Sequence, residues 1–427
     1  MAATRQNRSW PAAGAPVAQR GLVAAALAVA LCSAVPAVAA DPSSFMQPTE
    51  NLSESLTASV LNQVTPQAIA LDGDRPTVIW SEIGPGDQPE LMARRASAAG
   101  WDTPPWRPGR SDTVYSGDAA IAIDASGRAQ IVWIEARPGR FEVRAGELPP
   151  TPDVPLVGTV LTAGPGLVFD PTIATGEDGE IFAAWTEKLG GTYEVRAARW
   201  TRHGGWAAPE IVSPDDQRPS TQAHLAVGPD NRLHLVWSDR RPEGRVILYR
   251  WNAGGRWSAP RAIGEHPEAS DQGRPVVDVE PAGHLHFVWQ EARAQESAIY
   301  ATSWTLGAAE PEPPRRVAGE QGPARAPQMA VDASGVAHLV WEDARPRTPG
   351  GPVELHIVYA RVEHGAVVGE RRLSRDDAPL NMAPSIAVDA GGGVHVVWQM
   401  QLAGAGEIVY RRGGLKFVPG SDGIHHD

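Results

Sequence analysis

The 427-residue chain has little lysine, little cysteine and few long hydrophobic runs. Its only two lysines are Lys188 and Lys416, the formal net charge is −12, and no basic patch is visible in the sequence. Nucleic acid and anionic membrane surfaces are therefore poor candidate partners. The one cysteine, Cys32, lies in an N-terminal apolar run, so the rest of the chain has neither a disulfide nor a cysteine nucleophile.

The first forty residues follow the pattern of a secretory signal peptide. A basic region is followed by an apolar run over residues 21–31 and by small residues at positions 37–40. The apolar run is shorter than the ~20 residues that span a bilayer, and no second run of that kind follows it. We predict a signal peptide over residues 1–40, export to the periplasm or the extracellular space, and no membrane span in the mature protein. An uncleaved N-terminal anchor is the alternative.

A tryptophan recurs at nearly constant spacing along the rest of the chain, each time at the end of an apolar run. The intervals are 53, 52, 52, 52, 52 and 57 residues. Turn signals such as Asp332–Gly335 come before each tryptophan and Pro/Gly-rich loops follow it, so each repeat is predicted to form four short strands. The repeat tryptophans are Trp80, Trp133, Trp185, Trp237, Trp289, Trp341 and Trp398.

Four strands in a repeat of ~50 residues are typical of a propeller blade. A four-stranded sheet cannot cover both of its faces, whereas blades packed around an axis bury them, and tryptophan is large enough to fill the space between blades. We predict an all-β fold, a seven-bladed β-propeller of four-stranded blades over residues 41–420, and a polar tail over residues 421–427. The last repeat has three clear strands. Its fourth is expected near Leu56–Leu61, with Leu415–Val418 as the other candidate.

The pattern P-x-I-A-V-D-x-x-G-x-x-H-V-V-W, followed by a third strand and a G-x-W-x-x-P turn, resembles the sialidase-like superfamily of β-propellers with Asp-box (BNR) repeats. The likeness covers nearly all of the mature chain at the level of the repeat. The Asp box itself, S-x-D-x-G-x-T-W, is degenerate. In its nearest copy Asn252 stands at the Asp position, Gly254 at the Gly and Trp257 at the Trp.

This resemblance implies a glycosidase only where the active site of the family carries over. Sialidases use a tyrosine nucleophile paired with a glutamate, an aspartate acid/base and three arginines that hold a carboxylate. The F-R-I-P motif that supplies one of those arginines is absent here. Tyr115 is the only tyrosine that lies outside the repeated third-strand position, so it is the one candidate for a catalytic tyrosine.

Four histidines lie three residues before the repeat tryptophan, at positions 234, 286, 338 and 395. Equivalent points in different blades are too far apart to share one zinc ion, so we expect these side chains to form structural hydrogen bonds at blade interfaces. The acidic turns 71–74 and 176–180 lack the calcium-binding spacing of an EF-hand, and no phosphate loop, G-x-S-x-G or H-E-x-x-H motif is present. We therefore predict no metal site and no cofactor.

The loops after the repeat tryptophans are the predicted working surface. An acidic residue stands two positions past the tryptophan in six repeats, as Glu82, Glu135, Glu187, Asp239, Glu291 and Asp343. Because side chains alternate along a strand, this acid shares a face with the tryptophan and is predicted to support the scaffold. A set of arginines stands further along the chain from each tryptophan than the acid does, on loops expected to surround one mouth of a central channel. These arginines are predicted to bind a ligand. They are Arg137, Arg241, Arg293, Arg345 and Arg347.

Two classes of function remain open from the sequence. The first is an exported, non-catalytic binding or assembly module for a glycan or protein partner. The second is a sialidase-like glycoside hydrolase. A propeller fold is compatible with both, and the missing catalytic set favours the binding module.

Overall fold

The computed structural model describes residues 48–53, 59–60, 67–83, 89–102, 104–108, 115–264, 270–293, 296–305, 307–345, 351–363, 365–375, 378–402 and 405–413. These residues belong to the unit Pro42–Asp427. Their regular structure is entirely β, so the all-β prediction is confirmed, and none of them forms a helix that could cross a membrane. The predicted signal peptide, the polar tail, Arg347 and Leu415–Val418 lie outside the described residues.

The strands are numbered in chain order. The first fifteen are β1 (Glu50–Asn51), β2 (Ser59–Val60), β3 (Ile69–Asp72), β4 (Arg75–Ile83), β5 (Pro89–Ser97), β6 (Gly100–Trp101), β7 (Tyr115–Ile123), β8 (Ala129–Arg137), β9 (Arg140–Glu147), β10 (Thr159–Gly164), β11 (Val168–Thr175), β12 (Ile181–Leu189), β13 (Thr192–Thr201), β14 (Gly205–Trp206) and β15 (Glu210–Ile211). The others are β16 (Ser220–Val227), β17 (Leu233–Arg241), β18 (Gly244–Ala253), β19 (Arg256–Trp257), β20 (Arg261–Ile263), β21 (Asp271–Val279), β22 (Leu285–Arg293), β23 (Glu296–Trp304), β24 (Arg315–Ala318), β25 (Ala324–Val331), β26 (Ala337–Asp343), β27 (His356–Glu363), β28 (Ala366–Arg372), β29 (Leu380–Val388), β30 (Val394–Leu402) and β31 (Ala405–Gly413).

Each repeat tryptophan lies in the second strand of an antiparallel unit. Three sheets have four strands, in the orders β10-β9-β8-β7, β25-β26-β27-β28 and β1-β31-β30-β29. In the sheets β11-β12-β13 and β2-β4-β5-β6 one strand is split in two, because β14 and β15 both pair with β13, and β2 and β3 both pair with β4. The fourth and fifth repeats count as one sheet, because a single parallel pair, Arg245 with Asp271, joins β18 to β21.

The second strands are buried because both of their faces are covered. Every residue of β26 is buried, which is the pattern of a strand with neighbours on each side. The turn before β26 depends on Gly335, whose φ of +83° is a conformation that residues with a Cβ rarely adopt. The Oδ1 atom of Asp332 accepts hydrogen bonds from the backbone N–H groups of Ser334 and Val336 and closes the same turn.

The hydrophobic core is divided among the interfaces between consecutive repeats. Trp341 in the sixth repeat belongs to one cluster with Val288 and Ile299 of the fifth. Trp80 in the first repeat belongs to a cluster with Val397 and Ile408 of the last. The first strands of consecutive repeats also lie against one another, and β29 of the last repeat lies against β3 of the first. The first and last repeats are thus packed together.

The N-terminal segment supplies the fourth strand of the last repeat. In β1, Glu50 pairs with Tyr410 and Asn51 with Val409. Leu52 is fully buried in the cluster that joins the last repeat to the first. The indole N–H of Trp101 in the first repeat donates to Glu50 at 3.1 Å.

The predicted position of this closing strand, Leu56–Leu61, is wrong. Of that segment the structure describes β2, which pairs with Glu82 and Ser81 of the first repeat and not with the last one. The physical reason is that β2 and β3 together form the first strand of the first repeat, leaving the residues before them to complete the last sheet.

We expect Leu52→Ala to lower the free energy of unfolding by about 2–5 kcal/mol, because it removes a buried leucine from the interface that closes the chain. Chemical denaturation followed by tryptophan fluorescence measures this change. The matched control is Val160→Ala on the outer strand β10, whose side chain is exposed. If the two variants unfold at the same denaturant concentration, β1 does not secure the fold.

Candidate functional site

In the second, third and sixth repeats the acid that follows the repeat tryptophan accepts a hydrogen bond from the indole N–H of that tryptophan. Trp133 donates to Glu135 at 3.1 Å and Trp185 donates to Glu187 at 3.1 Å. The two residues stand two apart on one strand and therefore share a face. The acid thus satisfies the one polar atom of a buried tryptophan, in agreement with the scaffold role predicted from the sequence.

The arginines that follow these acids lie at the ends of the second strands, beside the hairpins that lead to the third strands. Each described arginine approaches the acid two residues before it. Arg137 is 3.8 Å from Glu135 and Arg241 is 3.9 Å from Asp239. The corresponding distance is 2.6 Å for Arg293 with Glu291 and 2.5 Å for Arg345 with Asp343.

Arg345 is held more firmly than the other arginines of this group. Its Nε donates to Asp343, its Nη1 to Gln321 at 2.6 Å, and its Nη2 to Glu370 at 2.9 Å. These contacts join the end of β26 to the outer strand β28 and to the loop before β25. They give Arg345 a structural role whatever else it binds.

A second group of residues lies at the same end of the repeats, at the start of the first strands. Among the described first strands, six contain a β-bulge. In each bulge one residue that is not glycine has a φ between 44° and 60°. Such left-handed conformations cost about 1–2 kcal/mol per residue. The residues are Asp118, Asp170, Gln222, Arg274, Ala326 and Ala383.

The bulges are tied together by hydrogen bonds from one repeat to the next. The backbone N–H of Gln222 donates to the Asp170 carboxylate at 3.1 Å, and that of Arg274 donates to the side-chain oxygen of Gln222 at 2.8 Å. Further along the chain, the N–H of Ala326 donates to Gln290 and the N–H of Ala383 donates to Glu342. Because a buried N–H is costly when it lacks an acceptor, these bonds stabilise the strained bulges.

The four polar bulge residues, together with Tyr115, form a cluster of polar groups that we call the bulge cluster: Tyr115, Asp118, Asp170, Gln222 and Arg274. Tyr115 is hydrogen-bonded to Asp118, and burial together with that carboxylate holds the pKa of Tyr115 well above its usual range. Burial also raises the pKa of Asp118, and it raises that of Asp170 to about 7. The neighbouring charge of Asp118 contributes to the rise at Asp170, while Arg274 opposes it.

These groups are suited to hydrogen bonding and to proton donation more than to nucleophilic attack. A tyrosine is a nucleophile when a neighbour lowers its pKa or removes its proton, and the pKa of Tyr115 is shifted in the opposite direction. Because burial raises the pKa of Asp170 to about 7, this carboxyl group is suited to donating a proton to a bound group.

Of the bulge cluster, only Tyr115 was predicted from the sequence as a candidate functional residue. A signal was present, since a proline follows the left-handed residue in Asp170-Pro171, Arg274-Pro275, Ala326-Pro327 and Ala383-Pro384. A proline restricts the residue before it and often marks an irregular strand. Because the residues before these prolines differ in chemistry, the repeat was not evident from side-chain type.

The histidines before the repeat tryptophans form hydrogen bonds within their own repeats, in agreement with the structural role expected from the sequence. Three of them bond to tyrosines that belong to core clusters shared by two repeats. His338 Nε2 lies 3.1 Å from the turn carboxylate Asp332, and its Nδ1 lies 2.8 Å from the hydroxyl of Tyr359. A carboxylate can only accept, so Nε2 donates and the tyrosine hydroxyl donates to Nδ1. Among the described residues no group of three or more His, Cys, Asp or Glu side chains could hold a metal ion.

A cavity of about 40 Å³ lies between the fifth and sixth repeats, beside His286 and Ala301. Ala301 faces Val288, and the equivalent position of the sixth repeat holds Tyr359 facing Val340. The cavity is therefore the space that a tyrosine fills elsewhere. It is far smaller than the ~300 Å³ at which ligand pockets begin, so it is not a site for a sugar.

No family model matches this chain, and no curated protein matches it. Solved structures do match. An ulvan lyase of polysaccharide lyase family PL25, bound to -[GlcA(1-4)Rha3S]-, aligns with a TM-score of 0.59 at 11% identity over 84% of this chain and 95% of its own. A second polysaccharide lyase aligns with a TM-score of 0.53 at 12% identity over 85% and 93%.

A protein of unknown function from Dyadobacter fermentans aligns with a TM-score of 0.52 at 13% identity over 72% of this chain and 97% of its own. At such low identities the likeness concerns the fold alone. These neighbours support the predicted β-propeller fold.

We expect Arg345→Ala to lower the free energy of unfolding by about 1–3 kcal/mol, because the buried carboxylate of Asp343 loses its charged partner and keeps the long 3.5 Å hydrogen bond from Trp341. The comparison is Arg241→Ala, which should change stability by less than about 0.5 kcal/mol. There the buried carboxylate of Asp239 keeps the hydroxyl of Ser220 at 2.8 Å. Equal melting temperatures for the two variants would show that Arg345 is not structural.

Stability should fall as the pH drops from about 6.5 to about 4, because burial lowers the pKa of His224 and His234 to about 4 in the folded protein. The unfolded chain takes up these protons near pH 6.5, so acid favours unfolding by on the order of 2–3 kcal/mol per histidine. The raised pKa of Asp170 has the opposite effect on stability, because the folded protein takes up this proton at a higher pH than the unfolded chain does.

His234→Gln isolates the histidine contribution, since Gln130 occupies the equivalent position of the second repeat. Its stability should decline less than that of the wild type between pH 7 and pH 4 in denaturant titrations. If the stability of both proteins declines equally between pH 7 and pH 4, His234 does not contribute to the decline.

Proposed function

We propose that this chain is an exported, seven-bladed, sialidase-like β-propeller that binds a glycan at the bulge cluster without cleaving it. The seven repeat tryptophans, the packing of the last repeat against the first and the likeness to two polysaccharide lyases support this proposal. Export is supported by the sequence pattern of residues 1–40.

The observation that carries the proposal is the convergence of the bulge cluster at one end of the first strands. Carboxylate, amide and guanidinium groups can each form paired hydrogen bonds with neighbouring sugar hydroxyls. Each bond between bulges uses one side-chain oxygen of Asp170 or Gln222, and both side chains have a second polar atom. These groups stand on strands of a packed scaffold, which favours precise positioning of a ligand.

The arginines predicted from the sequence form the rim of the same site. Arg137, Arg241 and Arg293 stand at the hairpins that leave the same end of the repeats, and about a third of each side chain is exposed. Arg347 belongs to this proposal through its sequence position. A glycan longer than one sugar could reach from the bulge cluster to this rim.

A glycan-cleaving enzyme is the second candidate, and one specific observation favours it. A carboxyl group with a pKa of about 7 is suited to general acid catalysis, and Asp170 has Asp118 as a neighbouring second carboxyl group. The raised pKa of Tyr115 favours the binding module, since it keeps the phenol protonated at neutral pH.

The test is to screen the mature chain and its Asp170→Asn variant on a glycan array, and to incubate the bound glycans with each protein. Asparagine is isosteric and can still accept the N–H of Gln222, so the fold should survive. We expect Asp170→Asn to weaken binding by about tenfold and neither protein to release a product detected by mass spectrometry.

Asp278→Asn is the matched control, because Asp278 is another first-strand aspartate with a pKa raised by burial, to about 6, near the opposite end of β21. This control should bind as the wild type does. Turnover that is lost in Asp170→Asn would establish the enzyme. Failure of the wild type to bind any glycan would refute both candidates.

A further inference from the structure

Two aromatic side chains of the third repeat do not take part in the hydrophobic core. Of the Phe, Tyr and Trp residues that the structure describes, only Phe169 and Tyr193 belong to none of the hydrophobic clusters. Their rings contact each other, with centroids 5.4 Å apart and planes inclined by 47°. Both side chains are partly exposed. Such a pair is a candidate binding surface, because its apolar area is not spent on the core.

Tyr193 does not stand at the repeated third-strand position that the sequence predicted for it. Tyr249 and Tyr359 hold that position, where each pairs with the residue before the repeat tryptophan and is hydrogen-bonded to a histidine. Tyr193 pairs instead with Lys188, three residues after Trp185, beside the hairpin between β12 and β13. It therefore lies at the same end of the repeats as the bulge cluster.

Phe169 directly precedes the left-handed Asp170 of the bulge cluster. It pairs with Thr186, whose hydroxyl donates to the Asp170 carboxylate at 3.3 Å. The backbone nearby is fixed, because the N–H of Lys188 donates to the carbonyl of Leu167 at 2.8 Å. In the other five bulges the residue before the left-handed one is not aromatic: Gly117, Thr221, Gly273, Arg325 and Met382. The repeated scaffold therefore does not require an aromatic ring at this position.

The surroundings of Tyr193 position its ring beside open space. Lys188 is exposed, and its Nζ lies 5.7 Å from the centre of the Tyr193 ring. A cation near the face of an aromatic ring is attracted to it and helps to hold the ring in place. A Cβ added at Gly190 or Gly191 of the adjoining hairpin would meet no atom within 4 Å.

We propose that Phe169 and Tyr193 form a subsite that stacks against a β-linked glucose or galactose ring of a glycan. This inference rests on the proposed function. The ring of such a sugar presents several C–H bonds on one face, and an aromatic surface removes that apolar face from water. The hydroxyl groups of the sugar extend from the rim of its ring, and Asp170 beside Phe169 is a partner for them.

The experiment measures affinity by isothermal titration calorimetry for two probes, a β-1,4-galactan and a β-1,4-glucan hexasaccharide. Each probe is also prepared in a second form, oxidised with periodate and then reduced with borohydride. This treatment opens the internal rings between C2 and C3 but keeps the hydroxyl groups. Wild type should bind at least one intact probe and lose about tenfold or more with its ring-opened form, because stacking needs the intact face of the ring.

Leucine variants test the two rings while keeping apolar side chains. Tyr193→Leu and Phe169→Leu should each lower the affinity for the intact probe by about 5- to 10-fold and leave that for the ring-opened form unchanged. Tyr193→Phe keeps the ring and should bind as wild type does. Both leucine variants should melt at the wild-type temperature, because neither ring belongs to a hydrophobic cluster.

Phe141→Leu is the matched control. Phe141 pairs with Ala136, three residues after Trp133, and so holds the position of Tyr193 in the second repeat. Its ring packs against the hydrophobic cluster shared by the second and third repeats. This variant should melt at a lower temperature than wild type and keep the wild-type affinity for the intact probe.

Three results would overturn the inference and leave the proposed function intact. In the first, both leucine variants keep their affinity for the intact probe. In the second, wild type binds the ring-opened form as tightly as the intact one, and in the third it binds an array glycan but neither probe. A melting temperature lowered by Tyr193→Leu as much as by Phe141→Leu would assign the pair to the scaffold. Binding of neither probe and of no array glycan counts against the proposed function itself.

Discussion

A repeat of this chain can bury its tryptophan only when another repeat lies against it. The indoles of the repeat tryptophans from Trp133 to Trp398 are almost fully buried. The hydrophobic clusters around them contain residues of two consecutive repeats. Burial of apolar area is the main stabilising term in folding, so here the stability belongs to the interfaces. The same dependence explains the closing strand, because without β1 the last sheet would expose the edge of β31.

Each buried repeat tryptophan brings one polar group, its indole N–H, into the core. An indole N–H in a dry interface needs an acceptor, and Glu135 and Glu187 provide it from two residues further along the strand. A buried carboxylate in turn favours a cation nearby, and arginines stand two residues beyond the acid at Arg293 and Arg345. In the second and sixth repeats the tryptophan, acid and arginine therefore form one chain of interactions that runs from the core to the end of the second strand.

The bulges at the start of the first strands obey a different constraint. A left-handed residue that is not glycine is strained, and its N–H must still find a partner. The preceding repeat supplies the acceptor either from its own bulge residue or from the residue after its tryptophan. The side chain at the other position therefore does not have to act as an acceptor. The repeated bulge therefore tolerates different side chains at its left-handed residue, as the alanines Ala326 and Ala383 show.

The sequence by itself determined the all-β class, the repeat, the burial of its tryptophans and the scaffold role of the acids. These features depend on periodicity and on side-chain alternation, both of which are local properties of a strand. The closing strand was placed several residues too late, because pairing between β1 and β31 joins residues more than 350 positions apart. Only the tertiary structure revealed the bulge cluster, since its members come from four repeats and four of the five share a backbone conformation, not a residue type. Which polar side chains bind the bulges of the next repeat is decided by hydrogen bonds between repeats, and no pattern within one repeat contains that information.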